Sequence, residues 1–426
     1  MENFRKELLR TDVIPRKLND VSKKYRKLFL KDLESRKIKT EEVNKCQCGS
    51  SNLEQLTKID RFGLPFGSLI CKDCGLVITS PRIVEESLPY YYDTYYHPLN
   101  YGKEHLENQS VLYEDGQGTK IFNILKKFLP KQDELNVLEI GAGTGNVLDE
   151  FKQEAKKYNV HVNELGTEYS NDCIRICEEK GVKTIYGNIK TIAEMEKKFD
   201  VIILSHVFEH FIDLQTEIVN LKKIMHKDSL LYIEVPGILE SHKKEYYDFS
   251  FLGYLIHAHM YNFTKDTLVN ILQKNGFKNI YMNEKVESIF KLDSMVETIE
   301  KYNSYDLIID YLEKFYEAYD FLKYAILKKL EKQNIRIQTR DEDIQNLKDT
   351  IEKQNIRIQT RDEEIESLKD KIQKQAIRIE TRDKEIESLK HRNKEQEKKI
   401  VVVKKFLGLS FTEKLKNYKK LKGVFL

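Results

Sequence analysis

His206, Glu209 and His210 lie in Ser205-His-Val-Phe-Glu-His210, and His259 opens His259-Met-Tyr-Asn-Phe-Thr264 further along the chain. On a helix the i, i+3 and i+4 spacing of the first three puts their side chains on one face. Two chemistries suit imidazoles and a carboxylate gathered in this way. Together they can hold a divalent cation that lowers the pKa of a bound hydroxyl and orients it. Alternatively a single imidazole, His210 or His206, takes the proton as a general base while the others position the acceptor. A structural role for the whole set is the third reading.

A different chemistry is offered by Cys46-Gln-Cys48 and Cys71-Lys-Asp-Cys74, each pair followed by a glycine that lets the backbone turn round an ion. Four thiolates close a tetrahedral zinc site with no open position, so this zinc is expected to be structural. With 6 cysteines in 426 residues, a disulfide scaffold is not expected, and thiol metal binding fits a reducing compartment. Cys173 and Cys177, at i, i+4, read as core packing rather than a second metal site.

These residues need a frame. Val137-Leu-Glu-Ile-Gly-Ala-Gly-Thr-Gly145 reads as a buried strand, a glycine turn and the start of a helix near Asn146. By itself that pattern serves dinucleotides or S-adenosylmethionine (SAM) equally. Downstream, a second strand ends in Gly166-Thr-Glu-Tyr-Ser170, which places Glu168 where a carboxylate accepts both ribose hydroxyls. Asn188, in Tyr-Gly-Asn-Ile, is placed to approach the adenine edge. Phe199-Asp-Val-Ile-Ile-Leu-Ser205 and Leu231-Tyr-Ile-Glu-Val-Pro236 continue a βαβ series, with the His-Glu-His set at the end of the fourth strand, where open α/β sheets gather ligands.

The series closely resembles class I SAM-dependent methyltransferases. The resemblance covers roughly residues 46 to 285, because Cys71-Lys-Asp-Cys74-Gly-Leu-Val with Pro81-Arg82 and a tyrosine-rich connector is similar to the zinc-binding segment that precedes some bacterial members. The order His206-Val-Phe-Glu-His210, Glu234-Val-Pro236, His259-Met-Tyr-Asn-Phe-Thr264 and Asn275-Gly-Phe277 agrees with it. The resemblance implies that Glu139, Gly141, Gly143 and Gly145 cradle the methionine part of SAM and that Glu168 holds the ribose. Ala142, Tyr169 and Ser205 are counted with the same cofactor site. Ala142 stands where Cys or Ser is frequent, and Asn188 where Asp is common. Catalysis is assigned to His206, Glu209, His210 and His259, with a second divalent cation as one option, and Tyr90, Tyr91, Tyr95 and Tyr96 are candidates for an acceptor lid.

The expected fold class is α/β: a Rossmann-like class I methyltransferase domain preceded by a small zinc-ribbon-like unit and followed by a long α-helical coiled coil. The boundaries read as a basic helical segment at 1–44, a zinc-binding unit at 45–81, a connector at 82–120, the methyltransferase domain at 121–290, a helical linker and coiled coil at 291–404, and a basic amphipathic tail at 405–426. The first segment carries an apolar helical stripe of Val21, Tyr25, Leu28, Phe29 and Leu33. The coiled coil rests on three near-identical units of 21 residues that begin at Glu331, Glu352 and Gln373. Isoleucines recur through them at every seventh position (Ile337, Ile344, Ile351, Ile358, Ile365, Ile372, Ile379 and Ile386) while the d positions cycle through Gln, Arg and Leu.

Charge sets further bounds. With 72 Lys+Arg against 69 Asp+Glu the net charge is +3, so no nucleic-acid partner is expected. No apolar run approaches the roughly 20 residues that span a bilayer, and the opening MENFRKELLR has no apolar secretory core. The tail nevertheless concentrates lysines beside a Leu407, Phe411, Leu415, Tyr418, Leu421, Phe425 stripe, so a cytoplasmic protein, peripheral on the inner membrane face or docked on a membrane-bound glycan-assembly partner, is expected. Methyltransferase, long helix and basic tail together resemble the bacterial enzymes that terminate O-antigen chains. That resemblance implies O-methylation of a sugar hydroxyl on a cell-surface glycan or its precursor, chain termination, and self-association through the coiled coil as a homotrimer in preference to the dimer that Ile at a with Leu at d favours. The rivals are a C- or N-methyltransferase of a nucleotide-linked sugar and a non-catalytic oligomeric scaffold with a methyltransferase-like head.

Overall fold

The computed structural model describes residues 2–104, 116–243, 247, 250–293, 302–358 and 365–407. Helices α1 (Glu2–Leu8) and α2 (Asp20–Glu34) come first, followed by the strands β1 (Thr40–Glu41), β2 (Leu53–Thr57), β3 (Gly67–Cys71), β4 (Val77–Ser80) and β5 (Arg82–Ile83). Short helices α3 (Leu88–Tyr91) and α4 (His97–Tyr101) flank a π-helical turn at Tyr92–Tyr96. An alternating series then runs α5 (Gln117–Leu125), β6 (Glu134–Ile140), α6 (Asn146–Lys156), β7 (His161–Glu168), α7 (Asn171–Glu179), β8 (Thr184–Tyr186), α8 (Ile189–Glu194), β9 (Phe199–Ser205), α9 (Leu214–Lys223) and β10 (Met225–Glu234). It closes with α10 (Phe251–Tyr254), β11 (Tyr261–Asn262), α11 (Lys265–Lys274), β12 (Phe277–Met282) and β13 (Glu287–Leu292), before the long helices α12 (Tyr305–Ile358) and α13 (Ile365–Leu407).

The main sheet has seven strands in the order β12-β13-β10-β9-β6-β7-β8. The run from β10 to β8 is parallel, and β13 adds antiparallel to β10. Its central strands read as almost continuous apolar runs because both faces are covered. Successive residues serve opposite cores: Leu138, Ile202 and Ile233 pack in one cluster, and Val137, Val201, Ile203 and Tyr232 in the other. The chain leaves β6 in one direction through β7 and β8, then returns to the other side of β6 with β9. This reversal opens a crevice at the C-terminal ends of β6 and β9, where ligands of such sheets bind.

Residues Met1–Leu312 form one compact unit, so the segments expected as 1–44, 45–81, 82–120 and 121–290 share one body. A second, four-stranded antiparallel sheet explains why. Its order is β11-β4-β3-β2, and β11, which follows the parallel series in sequence, pairs with β4 through Tyr261↔Ile78 and Asn262↔Val77. Cys46, Cys71, Leu76 and Ile78 are therefore buried in the same cluster as Leu204 and Val235. The apolar stripe of α2 is used as expected at Phe29, fully buried against Phe66 and His257 (ring centroids 5.9 and 5.2 Å), but Leu28 stays exposed.

Glu313–Leu426 separates as a second unit. Within it α12 and α13 run antiparallel. Arg340 pairs with Glu385 at 2.9 Å and Asp343 with Arg382, so the partner number falls as the first number rises. The heptad reading identifies the covered face: Ile344, Ile386 and Leu389 are buried, and the seam positions Ile337, Arg340, Leu347, Ile351, Gln375, Ile379 and Arg382 are half-buried. Among the described residues the repeats form two helices of one chain that pair with each other, and residues 359–364 of the expected coiled coil lie outside the described residues. No helix among the described residues is long and apolar enough to cross a membrane, and most of the basic tail, residues 408–426, lies outside the described residues.

Candidate active site

The glycine turn follows β6 and shapes one wall of the crevice. Gly141, Gly143 and Gly145 hold φ of +69°, +54° and +76°, a region costly for any residue with a Cβ. At Gly141 a Cβ would also lie 2.8 Å from the Val207 side chain. The last glycine caps the N-terminus of α6, and the Cys177 thiol donates to the Gly143 carbonyl at 3.3 Å, fixing the turn from behind. Glu139 is buried with one carboxylate oxygen unpartnered, and burial, then the neighbouring Glu168, pushes its carboxyl well above the usual range. An orphaned buried acceptor beside a backbone cradle fits the ammonium-bearing methionine part of SAM.

Glu168 ends β7 and accepts from the backbone N–H groups of Gly143 (2.9 Å), Tyr169 (2.7 Å) and Ser170 (3.0 Å). It thereby ties the glycine turn to the next strand, and a carboxylate keeps further lone pairs for ribose hydroxyls. Tyr169 and Tyr186, at the ends of β7 and β8, meet edge to face at 5.4 Å and are both exposed, a ready aromatic surface beside the ribose position. Asn188 follows β8 at the start of α8. Its Oδ1 caps α8 by accepting from the Thr191 N–H at 3.2 Å, so it starts that helix, a task added to the adenine contact expected of it. Ser205 and Ala142 are buried in the crevice walls. Glu168→Ala is expected to cost charge-assisted hydrogen bonds on the order of 3 kcal/mol and to weaken SAM binding about a hundredfold. Calorimetric titration of the variant checks this, and an unchanged affinity would remove the ribose assignment.

Across the crevice the structure brings His206, Glu209, His210 and His259 together, though not on a helix. Only Phe208–His210 makes a single 3-10 turn, and His206 sits just before it at φ +58°, a rare conformation for a non-glycine residue, with its N–H bonded to the Glu234 carbonyl at 2.8 Å. Glu209 is 1% exposed, and neither of its side-chain oxygens has a hydrogen-bond partner. Its Oε1 faces His206 Nδ1 at 3.7 Å, His210 Nε2 at 3.9 Å and His259 Nε2 at 3.9 Å. These separations are too long for hydrogen bonds. They lie within the about 4.2 Å that two ligands about 2.1 Å from one ion can span. Ligand atoms of Glu209, His210 and His259 all fall within 4.8 Å of one another.

The second layer sets the imidazoles. His210 Nδ1 lies 2.9 Å from the Ala258 carbonyl, which can only accept, so Nδ1 carries the proton and Nε2 turns its lone pair towards Glu209. Burial lowers the pKa of His210 and, further, of His259. His259 is held by the small sheet: Thr79 of β4 donates its hydroxyl to the His259 carbonyl at 2.6 Å and its N–H to Met260, whose own N–H reaches the Glu209 carbonyl at 2.8 Å.

Several contributors went unread in the sequence. Tyr92, rather than the expected Tyr90, Tyr91 or Tyr95, reaches the site, with its hydroxyl 3.3 Å from His210 Nδ1. Tyr91 and Tyr95 are buried in a separate core, and Tyr90 and Tyr95 donate to Asp32. Tyr96 lies edge-on to the His210 ring at 6.4 Å. Asp60 and His257 form a buried pair at 2.6 Å under the segment that carries His259; the His-Ala-His spacing was the available signal. Glu234 faces His206 at 3.8 Å and pairs with Lys120 at 3.0 Å. Burial alone would raise Glu234, but His206 and Lys120 outweigh it and hold the carboxyl below its ordinary value.

The four paired cysteines also converge. Sγ of Cys46 lies 3.6 Å from that of Cys74, and Cys48 lies 3.7 Å from Cys71. A tetrahedral ion with Zn–S of about 2.3 Å gives edges of about 3.8 Å, whereas a disulfide needs about 2.05 Å. Gly49 (φ +97°) and Gly75 (φ +80°) make the turns that present the thiols. Burial pushes Cys71 up to about 11, while the hydrogen bond from Cys46 holds Cys74 down to about 6. The donor set therefore fits a structural zinc ion. Cys173 and Cys177 are buried in the fold, as core packing predicts.

Residues 113–282 match the family model described as a methyltransferase domain. An uncharacterized protein of Methanocaldococcus jannaschii is 26% identical over 190 residues, 42% of this chain and 80% of that protein. Among solved structures, the CMeT domain of citrinin polyketide synthase is 19% identical with a TM-score of 0.34, covering 42% of this chain and 52% of that one. The plantazolicin methyltransferase BpumL, solved with SAH, is 16% identical with a TM-score of 0.32, covering 40% and 68%. The chain thus spans about half the length of the first of these structures. Residues 113–282, which carry the glycine turn, Glu139 and Glu168, are the part of the chain that matches the methyltransferase-domain model.

Proposed function

We propose that the protein O-methylates a sugar hydroxyl on a cell-surface glycan or its precursor and that Glu209, His210 and His259 share a divalent cation that activates this hydroxyl. The observation that carries the reading is the Glu209 carboxylate, buried, without a hydrogen bond, and ringed by imidazole nitrogens at 3.7 to 3.9 Å. A buried carboxylate in that state calls for a cation. SAM supplies an electrophilic methyl group. The acceptor hydroxyl gives its proton to an imidazole nitrogen, the oxygen forms a bond to the methyl carbon, and the electron pair of the breaking C–S bond leaves with sulfur as S-adenosylhomocysteine. His206, 40% exposed at its side chain, is the member of the set open to an acceptor and the one suited to take that proton. Choice of a glycan rests on the repeat-bearing C-terminal region and the basic tail, and chain termination follows if the methylated hydroxyl is the one that growth requires.

The experiment is to incubate the protein with methyl-labelled SAM and separated glycan, lipid, nucleotide-sugar and protein fractions of a lysate. Label in the glycan fraction, recovered as an alkali-stable methyl ether, is expected. Label confined to nucleotide sugars on carbon or nitrogen would replace this reading with the rival methylation.

A further inference from the structure

Asp60 and His257 are both buried and stand outside the cluster of Glu209, His210 and His259. An ionised carboxylate only accepts, so His257 Nδ1 donates to Asp60 Oδ2 at 2.6 Å. The His257 N–H lies 3.5 Å from the same oxygen. The other oxygen, Oδ1, accepts from the N–H groups of Phe62 and Leu64 at 2.9 Å each and fixes the turn at 60–64. The imidazole packs on the rings of Phe66, Tyr91 and Phe29, with centroids 4.9, 5.1 and 5.2 Å away, and its Nε2 has no hydrogen-bond partner. An aromatic box of this kind suits an apolar ring equally well, and a buried polar pair adds little stability over one. Its value lies in the conformation it specifies.

The segment 255–260 joins α10 to β11 and is neither helix nor strand, so individual contacts must set its backbone. Its residues face two ways. Towards the turn at 60–64, His257 meets Asp60 and the Leu255 carbonyl accepts from the Arg61 N–H at 2.9 Å. Towards the cluster, the Ala258 carbonyl lies 2.9 Å from His210 Nδ1, His259 Nε2 lies 3.9 Å from Glu209 Oε1, and the Met260 N–H reaches the Glu209 carbonyl at 2.8 Å. Ala258 and His259 follow His257 directly, and adjacent Cα atoms keep a fixed spacing. A shift at His257 is therefore passed to the carbonyl that sets the His210 tautomer and to the His259 ring.

We infer that Asp60 and His257 are positioning residues of the candidate active site: their hydrogen bond holds the segment 255–260 where the Ala258 carbonyl aims His210 and the His259 ring faces Glu209. The inference rests on the reading that Glu209, His210 and His259 share a divalent cation.

The probe is manganese(II), which suits carboxylate ligands and is not selected by thiolates, so the four cysteines do not compete. Its affinity for the full-length protein is read from the loss of the free ion's electron paramagnetic resonance signal. Asp60→Asn/His257→Phe keeps an acceptor for the turn and a ring in the box but removes the bond between the segments. Its manganese affinity should fall about tenfold, as when an outer-shell partner is lost, with SAM affinity within about a factor of two. In Asp60→Asn alone the amide still donates to an imidazole nitrogen, and a loss of about threefold is expected because a neutral hydrogen bond replaces a charge-assisted one. A pair serving stability alone would lower the thermal midpoint and leave the manganese affinity of the folded variants unchanged. Unchanged affinity in the double variant overturns the inference; if that variant fails to bind SAM, unchanged affinity in Asp60→Asn does so. Glu209→Gln separates the two claims. An unsubstituted protein that binds no manganese, or binding that survives Glu209→Gln, removes the shared cation and the inference with it, whereas binding that needs Glu209 but neither Asp60 nor His257 removes the inference alone.

Discussion

Glu209→Gln should lower methyl transfer by on the order of a thousandfold while leaving SAM affinity within about a factor of two, the range expected when activation of the acceptor hydroxyl is lost. The side chain keeps its shape but loses the charge that the three imidazoles face. Because the glycine turn is held by Glu168 and not by Glu209, the cofactor contacts should be untouched. His259→Ala should behave alike, since its Nε2 faces the same carboxylate oxygen at 3.9 Å. Single-turnover assays with saturating SAM, beside calorimetry on the same preparations, read both quantities. If Glu209→Gln transfers methyl at the normal rate, the cluster is not the catalytic centre. Chelation separates the two chemistries. Loss of activity on removing metal, restored by a divalent cation and not by zinc return to the cysteines alone, is expected; full activity without metal would leave a plain imidazole base.

Replacing Cys71 and Cys74 with serine should release the bound zinc and cost several kcal/mol of stability, because a structural zinc site contributes its binding free energy to folding. The consequence should extend to catalysis. β4 begins just after Cys74, pairs with β11, and holds His259 through Thr79. Loosening the thiol cluster therefore loosens the strand that aims the imidazole. Thermal denaturation should shift downward, and methyl transfer should fall more than SAM affinity does. Metal analysis of the unsubstituted protein giving much less than one zinc per chain, or a double variant with normal stability, would contradict this account.

The parallel series was legible in the sequence because local patterns suffice for it. Val137–Gly145 announces strand, turn and helix, and the strand ends place Glu168 and Ser205 at the crevice. The thiol pairs were legible for the same reason, their turns being local. What the sequence hid depends on contacts between distant segments. His206–His210 was expected on a helical face and instead occupies a strained turn, because the Glu234 carbonyl captures the His206 N–H. The four-cysteine segment looked separable, yet β11 completes its sheet across more than a hundred intervening residues. Tyr92 was indistinguishable from its tyrosine neighbours until Asp32 claimed Tyr90 and Tyr95 and the core claimed Tyr91. Of the heptad positions, Ile344, Ile386 and Leu389 are buried, but the direction of pairing between α12 and α13 was not legible, since a heptad pattern is the same read for parallel or antiparallel helices.

Equilibrium titration of the purified, full-length protein with SAM tests the central claim most directly. The account predicts saturable binding of one SAM per chain, weakened strongly by Gly141→Val, whose Cβ would enter the space of Val207, and unaffected by Glu209→Gln. No detectable binding to the unsubstituted protein, or binding indifferent to the glycine turn, would contradict it.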